Sequence, residues 1–141
     1  MNKIDTNLYS RQIRTFGIDT VSKLKNLRIL IIGLRGLGIE IAKNIILSGV
    51  KEVTISDKNK TLIIDLGNNF FLLEENIGKP REISCLNKLK ELNTYVNVDI
   101  FSDNLEEKIK DFDVAIITEI MKTEKLFSIN EICHDKNIKF I

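Results

Sequence analysis

The residues best placed to do chemistry lie between Arg28 and Asp57, RILIIGLRGLGIEIAKNIILSGVKEVTISD. An apolar run, Ile29 to Ile32, meets a glycine cluster of Gly33, Gly36 and Gly38. Ile39, Ala42 and Ile46 then recur at helical spacing, with Ile41 and Ile45 alongside, before Gly49, a second short apolar run and Asp57. Strand, glycine turn, helix, strand and acid is the order of a βαβ dinucleotide unit. In that unit the turn and the helix N-terminus receive phosphates, and the acid receives ribose hydroxyls. The spacing G-x-G-x-x-G falls on Gly33, Arg35 and Gly38, so an arginine holds the middle position. That position ordinarily has no side chain, which lets the backbone approach a pyrophosphate. Arg35 could add a cation for phosphates, or the turn could persist as scaffold. Steric room comes before charge at this site, so the scaffold reading is expected.

Other chemistry-bearing residues are sparse. Cys85 and Cys133 stand far apart on apolar helical faces and are expected to be reduced, mostly buried thiols. No C-x-x-C pair is present, which argues against a cysteine-based zinc site. The single histidine, His134, adjoins Cys133, but helical neighbours point about 100° apart and form no dyad. Arg11 and Arg14 fall three apart on one face of a helical piece, which by composition alone suggests two solvated side chains.

The elements around these residues follow from periodicity. Residues 8–24 read as two short helices broken at Gly17, with Leu8, Ile13, Phe16, Val21 and Leu24 available to pack. Thr61 to Ile64 is a short apolar run, and Phe70 to Leu73 reads as a buried helical segment or an anchored loop. Pro80 is poised to open a helix over 81–92, with Ile83, Leu86, Leu89 and Leu92 at helical spacing. Tyr95 to Phe101 alternates as a strand, Leu105 to Ile109 is a helical turn, and FDVAIIT (112–118) is a strand covered on both faces. A helix over 122–135 with Leu126, Ile129 and Cys133 facing in precedes a strand at 138–141. Such alternation predicts an α/β fold with a doubly wound, mostly parallel sheet. The expected organisation is an N-terminal helical segment (1–26) and a Rossmann-like domain (27–141).

With 141 residues there is room for one domain with a real core. A net charge of +1, with acids and bases interspersed, offers neither a nucleic-acid face nor a polybasic membrane patch. No apolar stretch approaches a membrane span, and the start, MNKIDTNLYS, lacks a secretory apolar core, so an intracellular protein is expected. The closing IKFI opens a strand as the sequence stops, which suggests a piece of a longer protein.

Four stretches together resemble the ubiquitin-activating enzymes: LYSRQIRTFG, GLRGLGIEIAKNIILSGVKEVTISD, FFLLEENIGKPR and ELNTYVNV. The similarity runs from Leu8 to Ile141 and is greatest to the N-terminal, inactive adenylation half. The matching subunit of the SUMO-activating enzyme is similar too, while DLGNNFFLLEENIGK favours the ubiquitin version. The resemblance implies a ThiF-like adenylation fold, truncated at its C-terminus. The family uses Mg2+ and ATP to adenylate the ubiquitin C-terminus, and a cysteine elsewhere then takes the acyl group as a thioester. It also implies an active adenylation half as partner, with ubiquitin and ubiquitin-conjugating enzymes engaged through the whole protein in cytoplasm and nucleus.

Against the active pattern, this chain departs at several positions. Arg35 stands in the phosphate turn, and the family's Asn and Arg after the second strand fall at Gly67 and Asn68. The Lys of the GKPK-like turn becomes Arg81, which keeps the charge but not the compact ammonium. The metal-holding Asp falls near Ile120, with Glu119 the nearest stand-in. The expected picture is a degenerate nucleotide site made of Gly33, Arg35, Gly36, Gly38, Asp57 and Arg81, with no bound metal and no cofactor of its own. ATP and Mg2+ would belong to the active half. Family likeness assigns Arg11, in Tyr9-Ser10-Arg11-Gln12, to the ATP phosphates of that half, in trans. The competing readings are an NAD-dependent oxidoreductase, an active homodimeric adenylating enzyme of the thiamine or molybdopterin type, and the corresponding SUMO or NEDD8 subunit.

Overall fold

The computed structural model describes residues 5–102 and 104–141. The apolar run after Arg28 forms β1 (Arg28–Ile32), with β2 (Glu52–Ser56) and β4 (Val114–Ile117) hydrogen-bonded on either side of it. β3 (Asn97–Ile100) and β5 (Lys139–Phe140) form the edges, giving the order β3-β2-β1-β4-β5 with every pairing parallel. Strand side chains alternate between faces, and β1 divides accordingly. Ile29 and Ile31 join Ile39, Ala42, Ile46, Val53 and Leu89 on one face. Leu30 and Ile32 join Ile109, Phe112, Ile129 and Cys133 on the other. A doubly wound α/β fold follows from burying both faces of a parallel sheet.

Helix α3 (Gly36–Ser48) and helix α4 (Arg81–Leu92) contribute to the first core, and α6 (Thr123–Asp135) to the second. The short α5 (Leu105–Lys108) precedes β4. Two seven-residue helices, α1 (Ser10–Phe16) and α2 (Ile18–Leu24), break at Gly17. Their packing differs from the sequence expectation. Val21 is buried, but Leu8 and Phe16 are exposed, and α1 contributes no buried residue. The inward residue is Tyr9, which immediately precedes α1.

Between β2 and α4 the chain makes a long excursion closed by backbone hydrogen bonds. Thr61 N–H donates to Lys79 O, Gly78 N–H to Thr61 O, and Arg81 N–H to Asn59 O. Of the two readings of Phe70 to Leu73, the anchored loop is correct: Phe71 and Leu72 are buried, while Phe70 and Leu73 face solvent. Pro80 stands at the N-cap of α4. Ile83, expected inside, is exposed, and Arg81, Glu82, Cys85 and Leu89 are the buried residues of that helix. Its inner face is set by an ion cluster as much as by apolar periodicity.

Candidate functional site

The glycine turn keeps the geometry of a nucleotide cradle. Gly33 has φ +95°, a left-handed conformation that favours glycine, and a Cβ there would meet the backbone N of Glu119 at 2.8 Å. A Cβ on Gly38 would lie 2.0 Å from the carbonyl oxygen of Gly33, so helix and strand approach too closely for any side chain. Arg35 adopts ordinary extended backbone ahead of α3, and its half-exposed side chain leans away to Asp65 (Nε–Oδ1 3.2 Å).

Asp57, one residue past β2, is 1% exposed. Its Oδ2 accepts from Leu34 N–H at 2.8 Å and from Arg81 Nε at 2.7 Å. Its Oδ1 accepts from Arg81 Nη2 at 3.1 Å and from Asn59 N–H at 3.1 Å. A carboxylate offers about four acceptor sites, so these four bonds saturate it. Arg81, 4% exposed, also donates from Nη1 to Asp65 Oδ2 at 3.0 Å and to Lys60 O at 3.1 Å. Asp65 is fully buried and further accepts from Leu62 N–H at 2.9 Å. One guanidinium thus fills the space between two buried carboxylates, bidentate on one and single-bonded to the other.

The electrostatics agree with this geometry. Burial by itself would raise the pKa of Asp65, but the Leu62 N–H, the charge of Arg81 and the bonds from Arg81 and Arg35 hold it below the usual value. Burial would likewise favour neutral arginine at position 81, yet Asp57 and Asp65 keep it charged above its ordinary range.

Neighbouring groups complete the cluster. Glu82 Oε2 accepts from Asp57 N–H at 2.7 Å. Asn69, 1% exposed, donates to Leu34 O at 3.0 Å and tethers the excursion to the glycine turn. Gly67 and Asn68, where the family's Asn and Arg would fall, are exposed, and Asn68 lies beside Gly36. Ile120 is 96% exposed, while Glu119 is half-buried and accepts from Asn59 Nδ2 at 2.6 Å. Among the described residues no group of three His, Cys, Asp or Glu side chains could hold a metal ion. A cleft of about 320 Å³ at the carboxyl ends of the strands is lined by Ile32, Ser56, Lys58, Asn59, Phe101 and Glu119.

These residues do not fit magnesium ATP. Asp57 has no open acceptor left for a ribose, Arg81 is held inward by two carboxylates, and the exposed Ile120 supplies no acid for a metal. The same saturation of Asp57 removes the acceptor that an NAD ribose requires.

Arg11 lies elsewhere. It is exposed on α1, at a cleft of about 350 Å³ shared with Leu8, Gln12, Leu47 and Tyr95, and among the described residues no acid pairs with it or with Arg14. Cys85 and Cys133 are both free and buried, with burial raising each thiol pKa, and His134 is exposed. Neither cysteine has the character of a nucleophile.

Sequence reasoning missed Asp65, Glu82, Asn69 and the seat of Tyr9. An acid inside the apolar run Thr61–Leu66 was the available signal for Asp65. Nothing local marked the others.

Comparison with known proteins agrees with this architecture. The chain is 44% identical over 139 residues to ubiquitin-activating enzyme E1 1 of Candida albicans, covering 99% of this chain and 14% of that protein. It is 42% identical over 139 residues to ubiquitin-like modifier-activating enzyme 1 of Homo sapiens, covering 98% of this chain and 13% of that protein. It therefore spans about one seventh of the length of the relatives it matches. Among solved structures, E. coli tRNA N6-threonylcarbamoyladenosine dehydratase in complex with AMP superposes with a TM-score of 0.82 at 14% identity, over 96% of this chain and 57% of that one. E. coli MccB gives a TM-score of 0.81 at 19% identity, over 99% of this chain and 44% of that one. Both structures share the fold. The family model described as the ThiF family matches residues 9–141, and the chain belongs to that family.

Proposed function

We propose that this chain is the N-terminal scaffold half of a ubiquitin-activating enzyme, silent toward nucleotide by itself. The observation that carries this reading is the Arg81 guanidinium lodged between Asp57 and Asp65, where it takes the contacts that a bound nucleotide needs. The glycine turn survives because Gly33 and Gly38 are required for packing, whether or not a phosphate is bound. The relatives' names favour the ubiquitin version over a SUMO or NEDD8 subunit.

In this reading the active adenylation half binds ATP and Mg2+ and activates the ubiquitin C-terminus, and ubiquitin-conjugating enzymes act on the complete protein. The scaffold half contributes docking surface and Arg11. The excursion after β2 presents Leu62, Ile63, Ile64, Phe70, Leu73 and Ile77 to solvent, apolar side chains available to dock on the other half. Arg11 is a charged fork without an internal partner among the described residues. It suits phosphate oxygens because a guanidinium binds two at once and does not titrate. Residence in cytoplasm and nucleus belongs to the same proposal; no helix of the described residues is long and apolar enough to cross a membrane.

Calorimetry of the chain with ATP and Mg2+ tests the silent half, and no saturable binding is expected up to millimolar nucleotide. Tight binding would overturn it. ATP–pyrophosphate exchange by the complete enzyme carrying Arg11→Ala tests the trans role, with an expected loss of roughly 10³-fold if arginine-finger magnitudes apply. An unchanged rate dismisses that role.

A further inference from the structure

Helix α1 carries Arg11 yet buries none of its own residues, and seven residues are too few to hold a helix in water without outside support. What ties it down lies at its start. Tyr9 is 3% exposed and its backbone oxygen accepts from Ile13 N–H, beginning the helix. The ring sits over Gly49, the left-handed residue (φ +81°) that ends α3, and a Cβ at Gly49 would come within 2.5 Å of it. Asn93, at the end of α4, donates from Nδ2 to the Tyr9 hydroxyl at 3.0 Å and to Ile46 O at 3.0 Å. Lys25 Nζ lies 4.7 Å from the centre of the Tyr9 ring on the way out of α2. One aromatic ring is therefore pinned by the ends of three helices, and Arg11 follows it by two residues.

We infer that Tyr9, seated by Gly49 and Asn93, is the positioning residue that aims Arg11, an inference resting on the trans role proposed above. Tyr9 touches neither substrate nor nucleotide and acts through the placement of α1. A guanidinium that must reach phosphates across an interface loses its effect when displaced by about an ångström, which can cost on the order of 10²-fold in rate.

The test uses the complete enzyme with Tyr9→Leu, Asn93→Ala, Tyr9→Phe and Arg11→Ala, measuring ATP–pyrophosphate exchange, thermal melting and amide exchange in α1. Tyr9→Leu is expected to slow exchange by about 10²-fold and to add no further loss in an Arg11→Ala background. Tyr9→Phe, which keeps the ring in its seat, is expected to stay within about threefold of the parent, as for one neutral hydrogen bond. Asn93→Ala guards against a Tyr9→Leu enzyme that fails to fold, and both should expose the amides of residues 13–17 to faster exchange. Losses that multiply with Arg11→Ala would overturn the inference, because they show a general structural role. So would unaltered exchange in α1, or a Tyr9→Leu enzyme at the parent rate beside a slow Arg11→Ala enzyme. If Arg11→Ala itself runs at the parent rate while α1 still loosens, the trans role of Arg11 fails instead.

Discussion

Arg81 and Arg11 are the same side chain in opposite situations. Arg81 is almost wholly buried, with four hydrogen bonds to Asp57, Asp65 and Lys60 O. Arg11 is exposed, with no acid paired to it among the described residues. A buried arginine between two carboxylates is a structural element, because its removal strands charges that cannot reach water. An exposed, unpaired arginine adds little to stability and is free to serve something outside the chain. The comparison separates a side chain spent inside the fold from one left open to solvent, where the proposed partner would meet it.

The largest expected difference is kinetic. Arg11→Ala should cost the complete enzyme roughly 10³-fold in adenylate formation, about 4 kcal/mol of barrier, while leaving the melting temperature of the chain unaltered. A matched loss of stability would break the contrast.

Arg81→Met should do the reverse. Removing one partner of a buried ion cluster costs about 3–5 kcal/mol, read by urea denaturation. The pH dependence sharpens this. Asp65 has a folded pKa below the usual carboxylate value, so its contribution is full above that value and is lost as pH falls through the lower folded one. In Arg81→Met the charge and bonds of Arg81 are gone while burial remains. The Asp65 pKa should then rise, held down only by the Leu62 N–H and Arg35, and the stability lost on acidification should shrink. An unchanged acid limb in denaturation curves between about pH 2 and 5 would contradict the ion cluster.

Arg35→Gly tests which arginine closes the cradle. It restores the missing glycine yet leaves Asp57 saturated by Arg81, so calorimetry should still detect no ATP binding at millimolar nucleotide. Binding recovered by this change alone would make Arg35 the obstacle.

Two glycines give the smallest effects and a control on the turn. Gly38→Ala should destabilise by about 1–3 kcal/mol or more through overpacking, since its Cβ would lie 2.0 Å from the Gly33 carbonyl. Gly67→Ala meets nothing within 4 Å. It should be neutral or stabilise by up to about 1 kcal/mol by restricting the unfolded chain. Thermal melts of the two variants report whether the glycine turn persists for packing.

Much of this fold is legible in the sequence. The apolar run Ile29–Ile32, the helical spacing of Ile39, Ala42 and Ile46, and the break at Gly17 are local signals that gave the right elements. The exceptions were Leu8, Phe16 and Ile83, apolar residues at helical spacing that face outward because Tyr9, Arg81 and Glu82 take the inward positions. The candidate site was half legible. The glycine turn, Asp57 and the departure at Arg35 stood out, but the pairing of Arg81 with Asp57 and Asp65 did not.

The sequence by itself determined the order of strands and helices, the two-sided core and the glycine turn, because each depends on spacings of two to four residues along one element. Only the tertiary structure decided where the charges went. Arg81 meets Asp65 across 16 residues and Asp57 across 24, and Asn93 meets Tyr9 across 84. Such pairings carry no periodicity. They arise because the parallel sheet gathers residues distant in sequence at its two ends, Asp57 with Arg81 at one and Tyr9 with Asn93 at the other, where a buried polar group must find a partner within hydrogen-bond reach.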